Sequence, residues 1–167
     1  SIVPAKWLGS HTLSTENHNV KATGQYVGAD YFQMFSYSLV QGDEAQVLAD
    51  DNSIVISEDL AKKIFNTTQD VVGKPLVFDH DKQFVISGVF KGTPPRSSQH
   101  FDFALSYDSY IKSQGWAQSW GNTGPGTYLL LRQGTDVAQF NEKIADYVKI
   151  KTENNINHRT LFIKRYS

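Results

Sequence analysis

Chemistry in this chain would have to come from its histidines, its carboxylates and its serines. The five histidines, His11, His18, His80, His100 and His158, are scattered. No two are spaced i,i+4, and without cysteine there is no Cys/His ligand pattern for a metal. The densest group is Asp79-His80-Asp81, whose imidazole and carboxylates are the types a metal centre or a general base needs. It falls inside an expected hairpin, where a solvated turn is the competing reading. A small hydrolase would draw on Asp79, His80 or His100 beside a serine, but no G-x-S-x-G elbow is present. Gly121 to Gly126 is glycine-rich but lacks the Lys-Ser/Thr ending of a phosphate-binding loop, and Gly73-Lys74 is not one either. The sequence therefore assigns no catalytic residue, no cofactor and no metal ligand.

The elements that would hold such groups come from composition and pattern. The chain has 167 residues, 40% hydrophobic and 20% charged, which suits one domain or two small subdomains sharing a core. A net charge of −1 gives no electrostatic case for nucleic acid. The carboxy-terminal stretch is locally basic, with Lys149, Lys151, Arg159, Lys164 and Arg165 against Glu153, and reads as a solvated face. No apolar run approaches the roughly 20 residues that span a bilayer. The ends, Ser1-Ile2-Val3-Pro4 and Arg165-Tyr166-Ser167, read as cuts in a longer protein.

Residues 1–17 are polar and read as a loop or a poorly ordered segment. Val20 to Tyr26 reads as a strand, and Asp30 is placed to cap a short helix carrying Tyr31, Phe32, Met34 and Phe35. Ser53 to Ile56 is a β-branched strand, after which Ser57 offers an N-cap oxygen. Leu60, Ala61, Ile64 and Phe65 share the next helix's inner face. Leu76 to Phe78 and Phe84 to Phe90 form the hairpin, and Pro94-Pro95 must then leave the sheet. Phe101 to Leu105 alternates as a strand, and Tyr107 to Ser113 fits a short helix. The last unit is expected as strand 127–131, helix 136–151 with a stop at Asn154-Asn155, and strand 160–164, the length of a β-α-β crossover.

Trp116 and Trp120 flank a polar stretch, with Tyr107 and Tyr110 just before it. Exposed Trp and Tyr serve as binding anchors, so these four are the candidate partner contacts. Burial in a core is the equally weighted alternative.

The order of motifs resembles the extracytoplasmic domain of FtsX/MacB-like ABC transporter permeases. Val27-Gly28-Ala29-Asp30-Tyr31-Phe32 is similar to the family's helix start, and Gln41-Gly42-Asp43 to its following turn. Ile54 to Ala61, Val72-Gly73-Lys74 and Phe84 to Phe90 are similar to its next strand–helix unit, turn and strand. Thr127-Tyr128-Leu129-Leu130-Leu131 with Gly134-Thr135-Asp136 is similar to its later unit. The resemblance spans roughly residues 20–165.

The resemblance implies an α+β fold: a porter-like subdomain of β-α-β units with an inserted β-rich subdomain. The porter-like part would be 18–45 plus 118–167, and the insert 46–117. It also implies a non-enzymatic domain on the periplasmic side of the cytoplasmic membrane, in a membrane-anchored and dimeric parent. Its partners would be an ABC ATPase subunit or domain and a periplasmic adaptor or cargo. A stand-alone extracytoplasmic ligand-binding or sensor domain, and the small hydrolase, remain as alternatives.

Overall fold

The computed structural model describes residues 1–93, 97, 99–120, 122, 124–153, 155–156 and 158–166. The expected Pro94-Pro95 exit, the glycine-rich turn at Gly121 and Thr123, and the helix stop at Asn154 lie outside the described residues. The fold is α+β. Its contacts divide into two compact units: residues 1–113 with 125–129, and residues 114–124 with 130–167.

The first unit is built on eight strands: β1 (Ile2–Ser14), β2 (Asn19–Val27), β3 (Leu39–Gln41), β4 (Ser53–Ser57), β5 (Pro75–Phe78), β6 (Lys82–Phe90), β7 (Phe103–Ser106) and β8 (Gly126–Leu129). They pair in the order β2-β7-β4-β6-β5-β1-β8, and β1 also pairs with β2, so the path from β2 to β1 closes into a ring. The β2–β7 and β4–β6 pairs are parallel, and the others are antiparallel. Three helices complete the unit: α1 (Tyr31–Met34), α2 (Glu58–Phe65) and α3 (Tyr107–Ser113).

β1 corrects the expectation of a loop over 1–17. Its Ala5 to Ser14 pair with β2, Leu13 and Ser14 pair with β5, and Ile2 to Ala5 pair with β8. Few side chains advertise this, because the ladders come from the backbone. The register also shifts between Trp7 and Gly9, where Gly9 holds φ +97°, a bulge that breaks the period of two.

Alternation along the central strands separates two cores. Ile54 and Ile56 of β4 and Phe103 and Leu105 of β7 enter one cluster, which α2 covers with Leu60, Ala61 and Ile64. Val55 and Ala104 enter the other, with Tyr31, Phe32, Tyr37, Phe90 and Phe101. All five residues of β4 are buried, as a strand covered on both faces requires. Rings in the second core meet mostly edge-on or tilted, at 5.1 Å for Phe90–Phe101 and 5.6 Å for Phe32–Phe90. Each such buried side chain contributes about 1.5–3 kcal/mol relative to exposure.

The expected N-cap forms at α2, where Ser57 Oγ accepts from Leu60 N at 3.2 Å. It does not form at α1. Asp30 makes no side-chain cap there, and its Oδ2 accepts instead from Ser1 Oγ at 2.6 Å. The expected boundaries at 45/46 and 117/118 concern subdomains within the fold, and the two compact units divide the chain on a different basis. The β2–β7 and β3–β6 ladders cross the first boundary, placing both sides in one sheet.

The second unit carries a 3₁₀ turn at Gly115–Gln118 and the helices α4 (Val137–Ile144) and α5 (Tyr147–Lys151). Asp136 caps α4, its Oδ1 accepting from Ala138 N at 2.9 Å and Gln139 N at 3.1 Å. The single helix expected over 136–151 is broken at Asp146, which sits at φ −93°, ψ 10° and is a weak helix former. The strand expected at 160–164 is not a strand. Leu161 N donates to Ala145 O at 3.2 Å, and Ile163 N donates to Asn141 Oδ1 at 2.7 Å. Those amides are therefore used by α4 and its end rather than by a ladder. Val148 is the one buried hydrophobic residue of this unit among the described residues.

Candidate partner-contact surface

The Asp79-His80-Asp81 group forms the turn between β5 and β6. Asp79 and His80 both hold positive φ, 48° and 60°, and Asp81 N donates to Phe78 O at 3.0 Å. Both central residues are left-handed, as in a type I′ turn, which suits a tight hairpin. Asp79 then reaches across to β1. Its Oδ1 accepts from Thr12 N at 2.9 Å, its Oδ2 meets His11 Nδ1 at 2.6 Å, and its own N–H donates to Thr12 O at 2.8 Å. The His11 hydrogen bond, then that of the Thr12 amide, lowers the Asp79 carboxyl from its ordinary value. The His11 ring stacks on Phe78 with centroids 4.6 Å apart. The group thus fastens the short β1–β5 seam. Among the described residues, no three His, Cys, Asp or Glu side chains gather as metal ligands would.

His100 lines a cleft of about 140 Å³ with Thr23, Ser57, Asp59, Thr93 and Asp102. A serine, a histidine and an aspartate in one cleft are the types of a nucleophilic triad. Their bonds go elsewhere. Ser57 Oγ is the cap of α2, and Asp102 Oδ2 accepts from Thr23 N at 2.8 Å and Thr23 Oγ1 at 3.0 Å. No hydrogen bond among the described residues joins His100 to Ser57 or Asp102.

The four aromatics divide between the units. Tyr110, on α3, is buried: its ring lies 4.8 Å from Tyr26 and 5.7 Å from Tyr107, and Lys6 Nζ sits 5.2 Å from its centre. Tyr110 is thus core of the first unit rather than surface. Tyr107 is half-buried. Burial, then the neighbouring Tyr110, raises the phenol pKa of both Tyr26 and Tyr107. Trp116 and Trp120 belong to the second unit and are 52% and 46% exposed. Trp116 Nε1 donates to Gln114 Oε1 at 3.1 Å. Trp120 meets Tyr147 with centroids 5.5 Å apart at 67°, and Lys151 Nζ lies 5.5 Å from the Tyr147 ring centre. Sequence reasoning did not single out Tyr147 or Ile150, which are 41% and 69% exposed.

The family described as MacB-like periplasmic core domain matches residues 2–147, so the chain belongs to that family, a domain of ABC transporter permeases.

Three solved structures are similar in fold. A domain of a candidate permease protein from Porphyromonas gingivalis is 22% identical with a TM-score of 0.75, over 100% of this chain and 78% of that one. The periplasmic region of MacB from Actinobacillus actinomycetemcomitans is 19% identical with a TM-score of 0.65, over 92% and 67%. The extracellular domain of the noncanonic ABC-type transporter YknZ from Gram-positive bacteria is 12% identical with a TM-score of 0.65, over 96% and 80%. The comparison with curated proteins found no match. No helix among the described residues is long and apolar enough to cross a membrane.

Proposed function

We propose that this chain is a non-catalytic extracytoplasmic domain of an ABC-type permease, relaying movement between the membrane part of its parent and a partner or cargo outside. The observation that carries the reading is the family match over residues 2–147. The packing supports it: a strand ring filled on both faces is stiff enough to pass strain on rather than absorb it. On this reading an ABC ATPase domain or subunit hydrolyses ATP in the cytoplasm, and the domain faces the periplasm. The parent works as a dimer, and an adaptor or an exported cargo makes the outer contact. Export and envelope signalling are both served by such a relay. The cleft beside His100 does not favour the ligand-binding alternative, since about 140 Å³ is small against the ~300 Å³ at which small-molecule pockets begin.

The test has two parts. The parent reading frame should hold an apolar helix of about 20 residues on each side of this domain. The purified domain should show no saturable ATP binding, while the parent hydrolyses ATP only with its ATPase present. Saturable ATP binding to the domain alone would refute the proposal.

A further inference from the structure

The strand ring has one thin joint. β1 and β5 share two residue pairs, Leu13 with Phe78 and Ser14 with Val77, against nine between β1 and β2 and four between β5 and β6. Asp79 lengthens the joint through Thr12, accepting from its N–H and donating to its carbonyl. His11 adds two further contacts. Its Nδ1 lies 2.6 Å from Asp79 Oδ2, and its Nε2 lies 3.1 Å from Leu8 O. Both partners are acceptors, one a carboxylate and one a carbonyl. A neutral imidazole has one N–H and one lone pair, so it satisfies one contact and sets its lone pair against the other. The imidazolium donates to both. Leu8 is the residue that the β1–β2 register skips, so the same ring ties the β1 bulge to the β5–β6 turn. Phe78, stacked at 4.6 Å, fixes the plane of the imidazole.

We propose that His11 is a proton-operated clasp on the strand ring: proton uptake at the imidazole ties turn to bulge, and proton release loosens the β1–β5 joint. The charges around it are few. In the turn, His80 acts on the same carboxylate, and Asp81 follows it. β6 brings Lys82, opposite Phe78. Lys82 disfavours a further cation at this end of the sheet, and Asp79, in contact with the ring, favours it. On β2, Ala22 lies opposite His11, while Lys21 pairs with Thr12, whose side chain takes the other face of β1. The His11 side chain is 22% exposed, so a proton can come and go without unfolding. Histidine ordinarily changes charge near pH 6.5. The contribution of the clasp is present on the acid side of that value and lost as pH rises through it. Asp79 stays ionised across that range, so its bonds with Thr12 persist and release loosens the joint without parting it. The inference goes beyond the relay reading and does not depend on it. On that reading, its consequence is a domain whose stiffness follows the acidity outside the membrane.

The experiment is NMR of this chain at pH 5.5 and pH 8.5, reading the ring nitrogens of His11 and the hydrogen exchange of the Thr12 and Asp79 amides. At pH 5.5 both His11 nitrogens should carry protons, and at pH 8.5 only one. The protection of the two amides, corrected for the pH dependence of the exchange chemistry, should fall about two- to fivefold between them, the range of a partly exposed pair. Amides of β4, which pairs with neither β1 nor β5, should keep their protection. His11→Gln, which cannot take up a proton, should abolish the pH response. His11→Phe keeps a ring to stack on Phe78 and should leave the two amides weakly protected at both pH values. His80→Gln should leave the response in place. A His11 ring with one proton at pH 5.5, protection indifferent to pH, or an equal loss at β4 would overturn the proposal. So would a response that followed His80 instead of His11. None of these results bears on ATP binding or on the parent's membrane helices, so the relay reading would stand if the clasp failed.

Discussion

Replacing Gly24 by alanine should destabilise the first unit through one contact. Gly24 lies on β2, paired with Gly9 of β1 and with Phe103 of β7. A methyl group there would stand 2.3 Å from both Cε2 and Cζ of Phe103 and 2.8 Å from Cδ2. The ring is fully buried and cannot swing into solvent. Gly24 is not in the left-handed region, so the backbone tolerates alanine and the unfolded state would favour it by about 0.4–1 kcal/mol. Overpacking acts against this at about 1–3 kcal/mol, and a clash this close belongs at the upper end. The net expectation is a loss of about 1–2.5 kcal/mol, or a melting temperature lower by about 2–10 °C for a chain of this size. Thermal and urea unfolding followed by circular dichroism would read it. In a Phe103→Leu background the ring is gone, so the same substitution should cost under about 0.5 kcal/mol, giving a coupling of roughly 1 kcal/mol or more. Gly115→Ala is the control, because a Cβ there meets nothing within 4 Å. A Gly24→Ala protein as stable as the parent, or a cost unchanged by Phe103→Leu, would refute the packing argument.

Other substitutions report on single groups. Ser57→Ala should cost about 1 kcal/mol by removing the α2 cap, seen as a lower urea midpoint. Ser14 Oγ is buried without a hydrogen-bond partner, alone in this among the described residues, so Ser14→Ala should stabilise by about 1 kcal/mol in the same titration. Asp79 has its folded pKa below the ordinary 3.8, so its contribution is full above that value and fades as pH falls through the lowered one. The stability gap between the parent and Asp79→Asn, under about 1 kcal/mol because the pair is solvent-exposed, should therefore shrink as pH falls below 4. A gap that did not shrink there would contradict the hydrogen bonds to the Asp79 carboxylate.

Much of the fold was legible where local chemistry and tertiary packing agree. β4, the Ser57 cap, the face of α2 and the β5–β6 hairpin each carry a local signal and each formed. β1 did not announce itself, because its stability lies in three backbone ladders and its alternation is broken at Gly9. The helix over 136–151 and the strand over 160–164 looked regular because Val137, Phe140, Ile144 and Tyr147 keep helical spacing. Spacing shows only which residues could share a face, and here that face stays largely open. The aromatics show the same limit. Tyr110 and Trp120 look alike in sequence, and only the surroundings put one beneath Lys6 and Tyr26 and leave the other at the surface.

β1 also imposes an order of assembly. Its neighbour β2 follows at once, yet the residues that finish its other edge arrive only when Ile2 meets Leu129. Thermodynamically that long closure is cheap, since each doubling of a loop adds only about 0.6 kcal/mol. Kinetically it is slow, because non-local pairs form late. A domain synthesised amino end first would hold the β1–β2 hairpin with the Ile2–Ala5 rim bare until β8 had emerged. A bare rim is a template for stray strands. Pro4 sits in that rim, opposite Thr127, and brings no amide donor to it. The domain's first strand is the last to be completed, and its proline makes it a poorer target while it waits.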